Sequence, residues 1–420
     1  WNQNDWDEGF SGMEILHSVS DQHPVFITAK SLHAAWGNKL AFKLANIDKN
    51  TPDPKDGAIG RNLDGEPNGL LFEQATLMLD GVIPDITEGK LIDLLKTTQR
   101  ELWKKGITSV HDFDRRTCFS ALQNMDHSGT LRLRVSKSIP IENLEQAIDL
   151  GLRSGFGSDF LRIGPVKLFA DGALGPQTAA MIKGYEDNSQ KIGMLLLNRD
   201  ELFEIGKKAT RAGFPLAIHA IGDRANHEVL DAYENIRQFE AQHHLLPQKH
   251  RIEHVQLLDP EDIKRLSQLN VIASMQPVHL ITDRNTADRF WGSRSHYAYA
   301  FKSLIDHGTQ LIFGSDAPVE SFNPWQGMSA ALTRSDDQSD RPDPWYPDQQ
   351  ISILDILKSY TINSAKSINW HEIGSLGMNK AADLIILNEN PIRMETSRIK
   401  NIQPEATMVA GEWVWQMEEF

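Results

Sequence analysis

The sequence predicts an α/β fold, a TIM-type (β/α)8 barrel with a partial small β-sandwich domain, and three observations carry that expectation. Short apolar and β-branched runs alternate with helix-patterned segments along most of the 420 residues. Polar side chains that interrupt those runs fall at their carboxyl ends, where barrel enzymes keep their active sites. The texture of the chain changes at both ends, outside the alternating region. Candidate strands are 108–111, 133–135, 166–169, 216–219, Arg251–His254, 271–275 and 311–314, with helices expected at 87–104, 141–152, 199–212, 224–240, 260–268 and 297–307. Seven strands with crossover helices are one short of a closed eight-stranded barrel. Residues 1–83 read as a loop-rich excursion over the barrel mouth, with a strand at 24–28 and a Gly/Pro/Asp-rich loop at 53–69. The barrel takes 84–370, including a surface loop at 321–350 and a helix at 351–365. The tail, 371–420, reads as a partial β domain with strands at 382–387 and 407–415, the second broken by a turn or bulge at Gly411 and Glu412.

Composition narrows the function classes. With 43 Lys and Arg against 57 Asp and Glu, the formal charge is −14, which disfavours phosphate-backbone binding and makes nucleic acid an unlikely partner. No run of eighteen apolar residues exists to span a bilayer, so no membrane is expected. The single Cys118 excludes an intramolecular disulfide and a cysteine-rich zinc site, so any metal falls to His, carboxylate or modified Lys. The amino terminus, Trp-Asn-Gln-Asn-Asp-Trp, has no initiator Met and resembles neither a gene start nor a signal peptide.

Four polar residues sit at or just beyond strand ends: Lys167, His219, His254 and Asp316. Singly each has an ordinary reading, a hydrogen-bonded core histidine or a helix N-cap; together, on the same end of four strands, they mark a site. Lys167 is the most informative, because an ammonium inside an apolar strand needs a partner. Either it pairs with Asp171 or Asp112, or its amine is carbamylated by carbon dioxide, giving an oxygen donor able to bridge two divalent metals. Imidazole and oxygen donors suit zinc and its first-row neighbours, with Asp316 positioned to take a proton from metal-bound water. His33 and Trp36 either line a substrate pocket or pack within their loop. Asp171, Arg224 and Gln276 orient ligands or substrate, or make structural hydrogen bonds. His279 contacts a leaving group or caps a turn.

Gly-Pro-Val-Lys-Leu-Phe-Ala-Asp-Gly-Ala-Leu-Gly (164–175), Ile-His-Ala-Ile-Gly-Asp-Arg-Ala (218–225), Arg-Ile-Glu-His-Val-Gln (251–256), Ala-Ser-Met-Gln-Pro (273–277) and Phe-Gly-Ser-Asp-Ala-Pro-Val-Glu (313–320) resemble the amidohydrolase superfamily. Within it they are similar to the amidohydrolase-3 branch, which includes N-substituted formamide deformylases. The resemblance extends to 32–36, 65–69, 360–363 and 382–384. It implies that Lys167 is a carboxylated, metal-bridging lysine, that His219 and His254 are second-metal ligands, and that Asp316 is a metal-ligating acid/base. One family feature, a His-x-His pair ending the first barrel strand, has no counterpart among the fifteen histidines. That strand and its pair are expected upstream of Trp1. The implied enzyme is a hydrolase of a C–N bond in an amide, formamide or cyclic amide, other than a peptide bond, acting through metal-bound hydroxide. It would use one or two divalent ions, zinc first among them, and take a small-molecule substrate, with a homo-oligomer left open. The alternatives are a catalytically impaired or regulatory barrel that keeps the family shell, and a metal-dependent esterase or lactonase.

Overall fold

The computed structural model describes residues 1, 12–29, 32–84, 86–336 and 341–418. Ahead of the barrel, β1 (Phe26–Thr28), β2 (Ala34–Gly37), β3 (Gly57–Arg61) and β4 (Pro67–Glu73) form an antiparallel sheet in the order β1-β2-β4-β3. Ala35, Phe42, Ile59, Leu71 and Leu79 give it a core of its own. The stretch 53–69, expected as a loop, is instead largely the β3–β4 hairpin. Its glycines mark close approaches, not open coil: a Cβ on Gly57 would stand 2.5 Å from the Ala75 amide nitrogen, and one on Gly60 2.4 Å from Asn68 Oδ1.

The barrel strands are β5 (Ser109–Asp112), β6 (Arg134–Pro140), β7 (Leu161–Phe169), β8 (Leu216–Ala220), β9 (Arg251–His254), β10 (Ile272–Met275) and β11 (Leu311–Phe313). They pair in chain order, every neighbour parallel, in one seven-stranded sheet. This is a curled half-barrel of the TIM type; among the described residues β5 and β11 do not pair with each other. Leu168, Ile218, Ile252 and Ala273 lie in the main core beneath crossover helices such as Arg199–Arg211 and Asp223–Gln242. The first of these helices starts at a capping box, Asn198 accepting from the Glu201 amide and Glu201 from the Asn198 amide. Strand β7 begins five residues before the expected 166. Its extra length carries a bulge in which Gly164 and Pro165 shift the register against β6, a place where proline loses no ladder bond.

Three more expectations give way. Helices Arg116–His127 and His279–Trp291 occupy stretches left unassigned, and 297–307 divides into a 3-10 turn ending at Tyr297 and a helix at Phe301–Asp306. The 321–350 segment is not a surface loop throughout: Asn323 caps a helix, Pro324–Thr333, with proline in its first turn and Trp325, Met328 and Ala331 buried. The helix expected over 351–365 breaks at Thr361 into Ile353–Tyr360 and Ile362–Ser367. In the tail, β12 (Leu384–Ile386), β13 (Ala406–Val409) and β14 (Glu412–Gln416) form an antiparallel sheet. Ala410 and Gly411, both at positive φ, make the β13–β14 turn. No helix among the described residues is long and apolar enough to cross a membrane.

Candidate active site

The carboxyl ends of the barrel strands open into a cavity of about 1180 Å³. Lys167, His219, His254 and Asp316 all line it, joined by Asp171, Gln276, His279 and, from the amino-terminal sheet, His33. Trp36 and Arg224 do not. Trp36 is buried with Leu16 and Leu70, its ring edge-on to Trp1 at 6.2 Å, and Arg224 sits in the first turn of the helix after β8.

Strand geometry explains the convergence. Lys167 and Phe169 are two apart on β7 and so share a face. In the parallel register Phe169 stands opposite His219, and Ala220 opposite His254. The resulting ring contacts run Phe169–His219 at 5.1 Å and His219–His254 at 4.6 Å. On β9, alternation alone would turn His254 away from Arg251 and Glu253. His254 at φ 76° and Val255 at φ 46° break it, so all three side chains reach the cavity. Asp316, three residues past β11, also sits at positive φ, 56°.

Neither pairing open to Lys167 forms. Asp112 accepts from Lys137 Nζ at 2.5 Å, and Asp171 accepts the Ala180, Ile221 and Gly222 amides at 2.9, 3.0 and 2.8 Å. Lys167 instead holds its ammonium over the Phe169 and Phe113 rings at 4.4 and 5.1 Å. Burial pulls its pKa down to about 8 against the opposing charges of Glu253 and Asp316. Burial likewise drives Asp316 up to about 6 and Asp171 up to about 7, and holds His219 and His254 well below the ordinary histidine range. Both imidazoles are therefore neutral, the form that ligates metal. Each has one nitrogen engaged: His254 Nδ1 with Gln276 Oε1 and His219 Nε2 with the Gly172 carbonyl, both at 2.8 Å. Ligand atoms of His254, His279 and Asp316 lie within 4.8 Å of one another, so the donor chemistry fits a divalent first-row ion.

Several residues of this site went unnoticed in the sequence. Glu73 bridges His33 Nδ1 at 2.8 Å and Thr178 Oγ1 at 2.5 Å. Burial lowers the His33 pKa, but the Glu73 hydrogen bond and charge outweigh it and leave the pKa raised. Arg251 pairs with Glu253 at 2.6 Å and donates to His111 Nδ1 at 2.8 Å, beneath the candidate ligands. The alternation Arg-x-Glu in a strand ending in His was the available signal. A second cluster, Asp112, Asp114 and Cys118, already holds a cation, because Lys137 Nζ contacts both the Asp112 carboxylate and the Asp114 carbonyl.

A half-barrel with imidazole and carboxylate groups gathered at its strand ends is the arrangement that metal-dependent hydrolases of this fold use. The chain belongs to the amidohydrolase family, whose model matches residues 1–415. It is 31% identical over 430 residues to the Protein LONG AFTER FAR-RED 3 of Arabidopsis thaliana, covering 99% of this chain and 73% of that protein. It is 26% identical to the N-substituted formamide deformylase of Arthrobacter pascens, covering 94% and 74%. Among solved structures, an uncharacterized metal-dependent hydrolase from Pyrococcus horikoshii OT3 superposes with a TM-score of 0.77 at 30% identity, covering 94% of this chain and 77% of that one.

Proposed function

We propose that the protein is a metal-dependent hydrolase of a C–N bond in an amide, formamide or cyclic amide. The observation supporting this most is the convergence of Lys167, His219, His254 and Asp316, from four strand ends, in one cavity. The deformylase relative, acting by its name on N-substituted formamides, points to the same bond. A divalent ion, zinc by donor preference, would be held by these residues and supply a Lewis acid that activates water and the carbonyl. Lys167, with its pKa near 8, keeps a fraction of neutral amine, the form whose lone pair attacks carbon dioxide; carbamylation releases one proton and turns the side chain into an anionic oxygen donor. Asp316 accepts the proton of the attacking water and returns it to the departing nitrogen as the C–N bond breaks. Its half-buried position and a pKa near 6 suit both halves of that transfer near neutral pH. Phe169, 45% exposed, offers an apolar wall to the substrate.

The test is turnover of formamides, simple amides and lactams by protein stripped of metal and reloaded with zinc, against matched esters and lactones. Asp316→Asn should lower kcat for the preferred amide by about 10²- to 10⁴-fold, the usual range for a positioned acid/base. Ester turnover without amide turnover would favour the esterase or lactonase reading. Metal binding with no turnover of either would favour a barrel that has lost its chemistry.

A further inference from the structure

We propose that Asp171 is a positioning residue for the metal site, fixing the His219 imidazole so that Nε2 carries its proton and Nδ1 remains as the ligating nitrogen. The assignment rests on the metal-dependent reading above, with Lys167, His219, His254 and Asp316 holding the ion, and says what aims one of the four. Asp171 borders the cavity yet is fully buried. A carboxylate in such a place is costly unless its oxygens are hydrogen-bonded. Both are: Oδ2 accepts the Ala180 and Gly222 amides at 2.9 and 2.8 Å, and Oδ1 accepts the Ile221 amide at 3.0 Å. With backbone amides on both oxygens, its influence on the reaction passes through the ring beside it, whose Nε2 stands 3.6 Å from Oδ1.

The three amides come from two stretches of chain, Ala180 from the segment after β7 and Ile221 and Gly222 from the residues just past β8. Asp171, two residues beyond β7, therefore ties the two strand ends together at the point where His219 enters the site. Two backbone bonds continue the tie, from the Ala170 amide to the His219 carbonyl at 2.9 Å and from the Arg224 amide to the Ala180 carbonyl at 3.1 Å. Gly222 permits the approach, since a Cβ there would stand 1.9 Å from the Ala180 oxygen. Locked in this way, the Gly172 carbonyl reaches His219 Nε2 at 2.8 Å. A carbonyl only accepts, so Nε2 donates and Nδ1 keeps its lone pair. At 3.6 Å, Oδ1 is too far for a hydrogen bond, but its negative charge favours the same proton position. An amide in place of the carboxylate reverses that preference. Its oxygen keeps the Ala180 and Gly222 bonds only by turning an NH2 group toward the Ile221 amide and Nε2, and a donor beside Nε2 favours the tautomer whose proton blocks Nδ1.

The experiment uses the full chain, stripped of metal and reloaded with zinc or Co(II), with thermal unfolding monitoring the fold. Asp171→Asn should weaken zinc binding by about 10- to 100-fold, the range for losing an outer partner of a ligating histidine, and should change the Co(II) visible bands at saturation. Nitrogen NMR of the metal-free chain labelled in its histidines reads the tautomer, with the His219 signals identified by their loss in His219→Gln. Wild type should show the proton on Nε2, and Asp171→Asn should shift the signals toward the Nδ1 form. Wild-type affinity in Asp171→Asn, or weakened affinity with the His219 signals unmoved, overturns the assignment and leaves the metal-dependent reading intact. A wild-type proton on Nδ1 overturns it too, and that readout stands even if the variant folds poorly. A wild-type chain that takes up no ion overturns both the assignment and the reading it rests on.

Discussion

At the residue scale the site depends on a contact between layers that lie far apart in sequence. Glu73 ends a strand of the amino-terminal sheet, yet its carboxylate joins His33 to Thr178, from the segment after β7. Gly172 makes room: a Cβ there would stand 2.2 Å from Thr178 Oγ1 and 2.6 Å from Glu73 Oε1, while its carbonyl engages His219. Replacing the carboxylate by an amide of the same shape removes the charge that fixes the His33 ring. Glu73→Gln should therefore raise KM or lower kcat for the preferred amide by about 10-fold, the low end of what removing a supporting hydrogen bond costs, with metal content unchanged. Steady-state kinetics beside metal analysis checks this, and full activity in the variant would make the contact purely structural. Lys167, His219, His254 and Asp316 were legible because each interrupts or ends an apolar run. Glu73 was not, since its partners lie 40 residues before and 105 after it and no local pattern connects them. Trp36 takes the packing alternative, not the pocket one, because aromatic residues favour strands and its place in β2 buries it against Leu16 and Leu70, away from the cavity.

At the element scale, the tail sheet is fastened to the barrel by a buried ion pair. Arg134, on β6, donates from Nε and Nη2 to the two Asp383 oxygens at 2.6 and 2.9 Å, and Asp383 Oδ1 also accepts the Ala410 amide. Thr407 on β13 adds a bond to the Trp103 carbonyl. Removing one partner leaves a buried charge uncompensated, at a cost of about 3–5 kcal/mol, whereas replacing both by apolar residues recovers much of it. Asp383→Ala should lower stability by that amount in urea titration and expose β12–β14 to hydrogen exchange before β7–β9; Arg134→Met with Asp383→Leu should restore most of the loss. Equal exchange in all three proteins would show that the pair does not anchor the sheet. Elements were legible where a β-branched or apolar run had no competing signal, as at β8 and β9. They were missed where composition misled: Asp, Pro and Trp around 321–350 suggested a solvated loop, but Trp325 and Trp345 are core residues and Arg334 is buried with its guanidinium bonded to the Trp345 and Tyr299 carbonyls.

At the scale of the whole molecule, the seven-strand order leaves a seam between β5 and β11, and the active-site cavity extends along it. Val110 and Leu133 line one side, Ile312 and Phe313 the other, with Ile385 of the tail sheet also on its wall. Each bordering strand presents a row of backbone groups that the ladder does not use, and an apolar interior tolerates such groups only when something pairs with them. The count of seven strands was legible in the periodicity; the shape of the seam was not, because it follows from curvature that no local pattern encodes. A chain carrying one further parallel strand with a His-x-His pair, fused upstream of Trp1, would offer pairing partners to both edges and add two imidazoles to the proposed metal site. It should unfold at higher temperature than the chain of 420 residues and slow amide exchange in β5 and β11. It should also bind more metal per chain and hydrolyse amides faster. Equal exchange protection together with equal metal content in the two proteins would show that the seam is satisfied as it stands and that the described strands hold the site without an eighth.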